Sequence, residues 1–265
     1  MVPHARASST PTKPYFAPPK PRVLAHRGLA IGVPENTLAS FERAVAAGAT
    51  YVETDVNASA DGVAVVVHDP TLDRIVGRAD RVADLTLEQL RSIDLGGGVR
   101  FVTLQEALEA LPGTRFNIDI KSDDVAAPAA AAIAAAGAVD RVLITSFSGA
   151  RRRAAIAALG TRVAASASAS EFVPALLLAK LGLTPLVRFA LRRVDAVQIP
   201  MRIFGLHTTT RRTIDRLHAA GVEVHVWTIN DVPVARGLLE RGVDGIVSDR
   251  ADLMLALTAP EGGIA

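Results

Sequence analysis

Two of the residue types that build many protein sites are scarce in this chain. Cysteine is absent from its 265 residues, and aromatic residues make up only 4%. The protein therefore has no disulfide bond, no thiolate zinc site and no cysteine nucleophile, and a metal site would need oxygen or imidazole ligands. The low aromatic content argues against a nucleic-acid partner, because unpaired bases stack on aromatic side chains.

The chain also lacks an uninterrupted apolar run of the ~20 residues that a membrane-spanning helix needs. The most apolar segment, 173–194, is interrupted by Pro174, Lys180, Pro185 and Arg188. This pattern predicts two short amphipathic helices. Weak peripheral contact of this basic, apolar region with an anionic membrane is the alternative.

The first 21 residues are rich in proline, serine and threonine and contain no apolar segment typical of a secretory signal. We predict a disordered tail over residues 1–21 and a cytoplasmic protein. Residues 22–258 are predicted to form a single domain, since one α/β barrel requires about 250 residues. Residues 259–265 would be a short C-terminal tail.

Charge is unevenly distributed, although the net charge is only +2. Residues 31–124 contain 16 acidic and 8 basic residues, whereas residues 151–216 contain 12 basic and 3 acidic residues. The acidic part includes carboxylates suited to a cation. The basic part is consistent with solvated helix faces, or with proximity to phosphate or anionic lipid.

Short apolar runs typical of buried strands alternate with helical patterns along the whole chain. This alternation favours a parallel sheet, and about eight such units favour a barrel. The predicted strands are 22–25, 51–56, 63–67, 115–120, 142–145, 162–165, 196–199, 222–227 and 245–247. The predicted helices are 37–47, 103–111, 126–136, 151–159, 173–181, 209–220, 232–241 and 252–257.

One connection does not fit a regular barrel. Strands 51–56 and 63–67 are separated by six residues that include Asp61-Gly62. This spacing is too short for a parallel crossover and is typical of an antiparallel hairpin. Eight of the nine predicted strands remain when the returning arm of the hairpin is set aside. The sequence therefore predicts an irregular (β/α)8 TIM barrel with a β-hairpin after the second strand.

Polar residues occupy alternate positions of two predicted strands. Glu53 and Asp55 share one strand face, and two neighbouring carboxylates repel each other unless a cation such as Mg2+ or Ca2+ lies between them. Asn117, Asp119 and Lys121 share a face of another strand. A polar face inside a barrel is unfavourable unless it forms a site at the mouth. Asp119 is thus a candidate metal ligand and Lys121 a candidate phosphate contact.

Two histidines lie at strand ends close to these carboxylates in the predicted fold. His26 directly follows the first strand and precedes Arg27, a residue type suited to bidentate phosphate binding. His68 ends the returning arm of the hairpin, which brings it beside Glu53 and Asp55. His225 alternates with apolar neighbours, so it either reaches the barrel interior or is a structural residue.

These residues belong to a series of short motifs that extends from Arg22 to about Leu257. These motifs and their order along the chain resemble those of the glycerophosphodiester phosphodiesterase family. The motifs are His26-Arg27-Gly28, Pro34-Glu35-Asn36-Thr37, Glu53-x-Asp55, Asp61-Gly62 with His68-Asp69, Asn117-x-Asp119-x-Lys121, Trp227-Thr228-Ile229-Asn230 and Gly242-Val243-Asp244-Gly245-Ile246.

The resemblance implies a distorted (β/α)8 barrel that hydrolyses glycerophosphodiesters, as small-molecule substrates, to sn-glycerol 3-phosphate and an alcohol. It also implies one divalent metal ion, Mg2+ or Ca2+. By position in the motifs, it implies metal binding by Glu53, Asp55 and Asp119, acid-base catalysis by His26 and His68, phosphate binding by Arg27 and Lys121, pocket lining by Trp227, and support of the site by Glu35 and Asn36.

One residue departs from the family pattern. The family usually has glutamate where this chain has Asp119, and Asp followed by Lys two residues later is similar to sphingomyelinase D-like enzymes. Two alternatives therefore stay open: a lysophospholipase D-type enzyme, and a non-catalytic barrel that binds polyol phosphates. The attacking oxygen, from water or from the glycerol hydroxyl, also stays open, and the sequence contains no signal for an oligomeric state.

Overall fold

Eight parallel strands form a nearly closed barrel, with helices in the connections between them. The computed structural model describes residues 13–259. The barrel order is β1, β2, β4, β5, β6, β7, β10 and β11, and β11 pairs with β1 again. These strands are Arg22–His26, Tyr51–Ala58, Arg115–Ile120, Val142–Thr145, Ala164–Ala165, Ala196–Ile199, Glu223–Val226 and Gly245–Ser248. The predicted barrel is confirmed.

Helices surround the barrel, and most follow the strand that precedes them in the chain. Most of the segment 173–194 lies in two helices, α7 (Ala169–Leu181) and α8 (Thr184–Leu191), where the sequence predicted two short helices. Among residues 13–259, no helix has the length and apolarity required to cross a membrane. The helices, α1 to α11 in order, are Leu38–Ala46, Asp73–Val76, Leu87–Ser92, Leu104–Ala110, Ala126–Ala135, Gly149–Leu159, Ala169–Leu181, Thr184–Leu191, Arg211–Ala219, Val232–Glu240 and Ala251–Thr258.

The predicted hairpin after the second strand is present. Strand β3, Ala64–Val66, pairs antiparallel with the end of β2, with Val56 opposite Val66. Gly62 in the turn has φ +76°, a conformation that glycine adopts without strain. The hairpin turns the chain back toward the barrel mouth, so that Val67 N–H donates to the carbonyl oxygen of Asp55 at 3.0 Å.

The barrel closes through its weakest pairing, between β6 and β7. Strand β6 has two residues, and the contact with β7 consists of a single parallel bridge between Ser166 and Ala196. Two backbone hydrogen bonds of 2.8 and 2.9 Å, from Asp195 N–H to Ala165 and from Ala167 N–H to Ala196, support it.

Alternation along β4 separates the core from the site. Phe116, Ile118 and Ile120 are fully buried in the large apolar cluster between strands and helices. Phe116 packs edge-to-face on Phe41 of α1, with 5.7 Å between ring centroids. The polar residues of β4 consequently point into the barrel, as the pattern of the strand predicted.

The region between β3 and β4 is more structured than the sequence indicated. It contains α2 and α3 and a separate small apolar cluster that includes Leu72, Leu90 and Phe101. A second hairpin, of β8 (Arg202–Ile203) and β9 (Leu206–His207), follows β7. Helices of one turn and strands of two residues are too short for a periodic apolar pattern to reveal them.

The prediction of a disordered tail over 1–21 is wrong for residues 13–21; residues 1–12 and 260–265 lie outside the described residues. Tyr15 and Phe16 are buried, and Tyr15 packs edge-to-face on Tyr51 at 5.2 Å. Lys13 forms a 2.7 Å ion pair with Asp195. Proline-rich composition suggested disorder, whereas these two aromatic side chains cover the amino-terminal end of the barrel.

A buried ion pair lies next to these aromatic residues. The Arg22 guanidinium is 2% exposed and donates to both carboxylate oxygens of Glu223, at 2.8 and 2.9 Å. It also donates to Tyr51 Oη at 2.6 Å and to the carbonyl oxygen of Phe16 at 2.9 Å. Burial alone would raise the pKa of Glu223, but the hydrogen bonds from Arg22 and His225 lower it well below its ordinary value.

We predict that Glu223→Gln lowers the free energy of unfolding at neutral pH by about 3 kcal/mol, since it leaves a buried guanidinium without a counter-charge. Because folding lowers the pKa of Glu223, its stabilisation is complete above the unfolded-state value of about 4.3 and decreases as the pH falls toward the folded-state value. Urea unfolding of both proteins at a series of pH values measures this. The exposed Glu42→Gln is the control, and a stability difference that stays constant down to strongly acidic pH contradicts the prediction.

Candidate active site

A cavity of about 250 Å3 opens at the carboxyl ends of the barrel strands. In parallel barrels the strand ends bring side chains from distant parts of the chain together at this face. One side of the cavity is charged and the other is largely apolar. The charged side contains His26, Arg27, Glu53, Asp55, His68, Asp119 and Lys121.

His26 is held in place by a carboxylate that the sequence analysis did not identify. Its Nδ1 lies 2.6 Å from Asp249 Oδ1, and its Nε2 lies 3.8 Å from Glu53 Oε2. Asn230 Nδ2 in turn donates to Asp249 Oδ2 at 2.8 Å. Burial alone would lower the pKa of His26, but the hydrogen bond with Asp249 and the charge of Glu53 raise it above the ordinary value.

His68 has an equivalent partner. Its Nδ1 lies 2.6 Å from Asp69 Oδ1, and Arg74 Nε donates to the other oxygen of Asp69 at 2.5 Å. Arg74 also binds Glu35 at 2.7 Å, which in turn accepts from Arg27 at 2.9 Å. Both histidines thus form a hydrogen bond with an aspartate through Nδ1, which leaves Nε2 of each ring for other partners.

The carboxylates of β2 are nearly inaccessible to solvent, at 7% exposure for Glu53 and 1% for Asp55. Burial and the adjacent charge of Asp55 raise the pKa of Glu53 to about 8. Asp55 is better compensated: Asn36 Nδ2 donates to it at 3.0 Å, and Lys121 Nζ lies 2.8 Å away. Burial would raise the pKa of Asp55, but the charges of Lys121, His68 and Arg27 lower it.

Asp119 lies next to Asp55 in the parallel register of β2 and β4. Lys121 Nζ bridges the two carboxylates, at 2.7 Å from Asp119 Oδ2 and 2.8 Å from Asp55 Oδ1. Oδ1 of Asp119 is buried without a hydrogen-bond partner among the described residues. Burial raises the pKa of Asp119 despite the nearby ammonium.

The His-Arg-Gly motif has a steric basis. Gly28 has φ +84°, and a Cβ on it would lie 2.5 to 2.7 Å from atoms of Ser40 at the start of α1. Only glycine fits this approach of the turn to the helix. The turn also places the backbone N–H of Arg27 3.1 Å from Glu53 Oε2. Arg27 itself has φ +55°, an uncommon conformation for a residue with a side chain.

The opposite side of the cavity is apolar and includes Trp227, Phe172 and Ile203. Phe147 packs edge-to-face on Trp227 at 5.9 Å and is still 64% exposed at the mouth. A cavity with charges on one wall and aromatic rings on the other is suited to a molecule with an anionic group and an uncharged part.

Residues 26–253 match the model of the glycerophosphoryl diester phosphodiesterase family. The chain is also 40% identical over 232 residues to a Mycobacterium tuberculosis protein named probable glycerophosphodiester phosphodiesterase 2, with 87% of this chain and 88% of that protein covered. The chain belongs to this family.

Solved structures agree with the family assignment. The glycerophosphodiester phosphodiesterase of Agrobacterium tumefaciens superposes with a TM-score of 0.72 at 29% identity, over 89% of this chain and 99% of that one. A phosphodiesterase of Oleispira antarctica, solved with the product sn-glycerol-3-phosphate, superposes with a TM-score of 0.73 at 25% identity, over 90% and 96%. The chain is thus an enzyme of the glycerophosphodiester phosphodiesterase type.

The structure brings eight of the predicted site residues to one cavity, and the two supporting residues contact it. Glu35 binds Arg27, and Asn36 binds Asp55 and accepts from Thr54 Oγ1 at 2.8 Å. Sequence reasoning missed Asp249, although its position directly after β11 corresponds to that of Arg27 after β1. The eight residues in the cavity are His26, Arg27, Glu53, Asp55, His68, Asp119, Lys121 and Trp227.

The donor chemistry of Glu53, Asp55 and Asp119 fits the divalent metal that is general in this family. Across residues 13–259, no group of three or more histidine, aspartate or glutamate side chains is arranged tightly enough to hold a metal ion as it stands. However, the unpartnered Oδ1 of Asp119 and the raised pKa of Glu53, caused first by burial and then by the charge of Asp55, are both consistent with a site where a bound cation would stabilise the ionised carboxylates. Oxygen donors of this kind suit Mg2+ and Ca2+.

We predict that Asp249→Asn lowers kcat by about 10- to 100-fold, because an orienting partner of a site histidine typically has an effect of this size. Steady-state hydrolysis of glycerophosphocholine measures it. Asp252→Asn is the matched control, because Asp252 pairs with Arg250 outside the cavity. Equal kcat values for the two variants would show that His26 needs no orientation by Asp249.

Proposed function

We propose that this protein is a metal-dependent phosphodiesterase that hydrolyses glycerophosphodiesters to sn-glycerol 3-phosphate and an alcohol. The proposal is supported chiefly by the two aspartate-bound histidines beside buried carboxylates, with Arg27 and Lys121 in the same cavity. The product named for the Oleispira antarctica neighbour, sn-glycerol-3-phosphate, is consistent with it.

Acid-base chemistry is assigned to the two histidines. The raised pKa of His26 favours its protonated form, so His26 protonates the leaving oxygen. His68 takes the proton from the attacking oxygen through its free Nε2. Asp249 and Asp69 hold the two rings in orientation and stabilise the charge that forms on each.

Cationic side chains stabilise the negative charge of the substrate's phosphate. Arg27 and Lys121 lie in the cavity beside the carboxylates and bind non-bridging phosphate oxygens. When bound by Glu53, Asp55 and Asp119, a divalent cation supplies further positive charge for the phosphate. The attacking oxygen comes from water or from the adjacent glycerol hydroxyl, and only the latter forms a cyclic phosphate first.

We predict that purified protein releases glycerol 3-phosphate from glycerophosphocholine and that excess EDTA abolishes this activity. His26→Ala and His68→Ala should each lower kcat by about 100- to 10,000-fold, because each removes one proton transfer. Phosphorus NMR during the reaction identifies the product and any cyclic intermediate.

His207→Ala is the matched control, because His207 is exposed on the second hairpin. Near-normal turnover by either site variant would remove that histidine from the mechanism. Activity that persists in EDTA would exclude metal dependence, and no turnover by the wild type would favour a non-catalytic binding barrel.

A second candidate function, hydrolysis of lysophospholipids by a lysophospholipase D-type reaction, is favoured by the apolar wall. Phe147 at the mouth is 64% exposed, and Phe204 at the tip of the second hairpin is 89% exposed. An acyl chain would cover these rings. Weak contact of this rim with an anionic membrane, through Arg202 beside the tip, would deliver such a substrate.

Lysophosphatidylcholine distinguishes the two functions, because the second releases lysophosphatidic acid from it. For that function we predict that Phe147→Ser lowers kcat/KM for lysophosphatidylcholine by about 10-fold, since it removes an apolar contact. The same variant should change kcat/KM for glycerophosphocholine much less. Equal effects on both substrates, or no release of lysophosphatidic acid, would exclude the second function.

A further inference from the structure

Below the charged groups, a chain of polar side chains crosses the barrel interior. Asn117 of β4 and Gln198 of β7 both line the cavity, and Asn117 Nδ2 donates to Gln198 Oε1 at 3.3 Å. Gln198 Nε2 lies 3.4 Å from Nδ1 of His225, which is fully buried. His225 Nε2 lies 3.1 Å from Glu223 Oε2. The chain thus connects the cavity with the buried ion pair at the other end of the barrel.

The ion pair determines the direction of the hydrogen bond between His225 and Glu223. Arg22 holds Glu223 as a carboxylate, which only accepts. His225 therefore donates from Nε2 to Glu223, and its Nδ1 faces Gln198 Nε2. Gln198 turns its NH2 group toward His225 and its carbonyl oxygen toward Asn117.

Asn117 is the last of these hydrogen-bonded side chains, and the orientation of Gln198 determines the orientation of its amide. Its NH2 group donates to Gln198, so its Oδ1 receives no hydrogen bond from the other side chains of this series. The residue is 2% exposed, and Oδ1 is buried without a hydrogen-bond partner among the described residues. A buried acceptor without a donor is unfavourable, so this atom is suited to a ligand that brings a hydroxyl or an amine.

We propose that Asn117 Oδ1 accepts a hydrogen bond from a hydroxyl of the substrate's glycerol, and that Gln198 and His225 are positioning residues that keep this site an acceptor. The proposal rests on the proposed function, because it assigns the glycerol end of that substrate to the floor of the cavity. Asn117 precedes Asp119 by two residues on the same strand face, directly below the groups assigned to phosphate. The apolar wall and the open mouth are left for the leaving alcohol.

Binding of two monophosphates by the wild-type protein tests the proposal. Glycerol 3-phosphate carries two hydroxyls that n-propyl phosphate lacks, while the phosphate is the same. Isothermal titration calorimetry in Mg2+-containing buffer gives both Kd values. We expect glycerol 3-phosphate to bind at least about tenfold more tightly, as one hydrogen bond to an otherwise unpaired buried acceptor predicts.

The variants Asn117→Ala and Gln198→Met locate the effect. Asn117→Ala should bring the Kd ratio close to one, and Gln198→Met should lower it because it frees the Asn117 amide to rotate. Thr145→Val, which changes another polar residue of the cavity outside the polar chain, should keep the wild-type ratio. The ratio does not depend on the fraction of folded protein, so partial unfolding of a variant leaves the test valid.

Equal affinities of the wild type for the two monophosphates, or an unchanged ratio in Asn117→Ala, would overturn the proposal. Hydrolysis of glycerophosphocholine is measured separately. If the wild type discriminates between the monophosphates but does not hydrolyse the diester, the polyol site stands and the proposed function fails. If it hydrolyses the diester without discriminating, the proposed function stands and Asn117 has no part in recognition.

Discussion

Repulsion among buried carboxylates is the constraint on which the rest of this site depends. Glu53, Asp55 and Asp119 lie at or below 7% exposure at one end of the barrel, where water cannot screen them. The surrounding cationic side chains compensate the charge of these carboxylates only in part. Lys121 bridges Asp55 and Asp119, whereas the pKa of Glu53 remains raised. A cation bound among these carboxylates would relieve their repulsion and favour their ionised forms.

The parallel register of the barrel creates this concentration of charge. His26 lies opposite Glu53, Glu53 opposite Asn117, and Asp55 opposite Asp119 on adjacent strands. Side chains at these positions share the barrel interior, so alternation on each strand selects which residues meet. The hairpin after β2 adds His68 from a part of the chain that a regular connection would have placed elsewhere.

Strand alternation and loop length were sufficient to predict the barrel and the hairpin, because both are local features of the sequence. The resemblance of the motifs to the family supplied the remaining cavity residues, such as Trp227. Asp249 was missed because its partner, His26, is 223 positions away and only the closed barrel brings them together. Gln198 was missed for the same reason, because its contacts with Asn117 and His225 form only across the closed barrel. Tyr15 and Phe16 were missed because composition was given more weight than two aromatic residues that needed an apolar surface.

The weak contact between the two-residue strand β6 and β7 separates the barrel into two parts that carry different site residues. The carboxylates and both histidines lie on the strands before β6 or in the loops that follow those strands. Gln198 lies on β7, Trp227 directly follows β10, and Asp249 directly follows β11. The two parts are joined by the pairing of β11 with β1, at four residues on each strand, and by the ion pair of Arg22 with Glu223. A fluctuation that opens the contact between β6 and β7 would separate the carboxylates and His26 from Gln198, Trp227 and Asp249. Catalytic competence can therefore be lost by a local opening that leaves most of the fold intact.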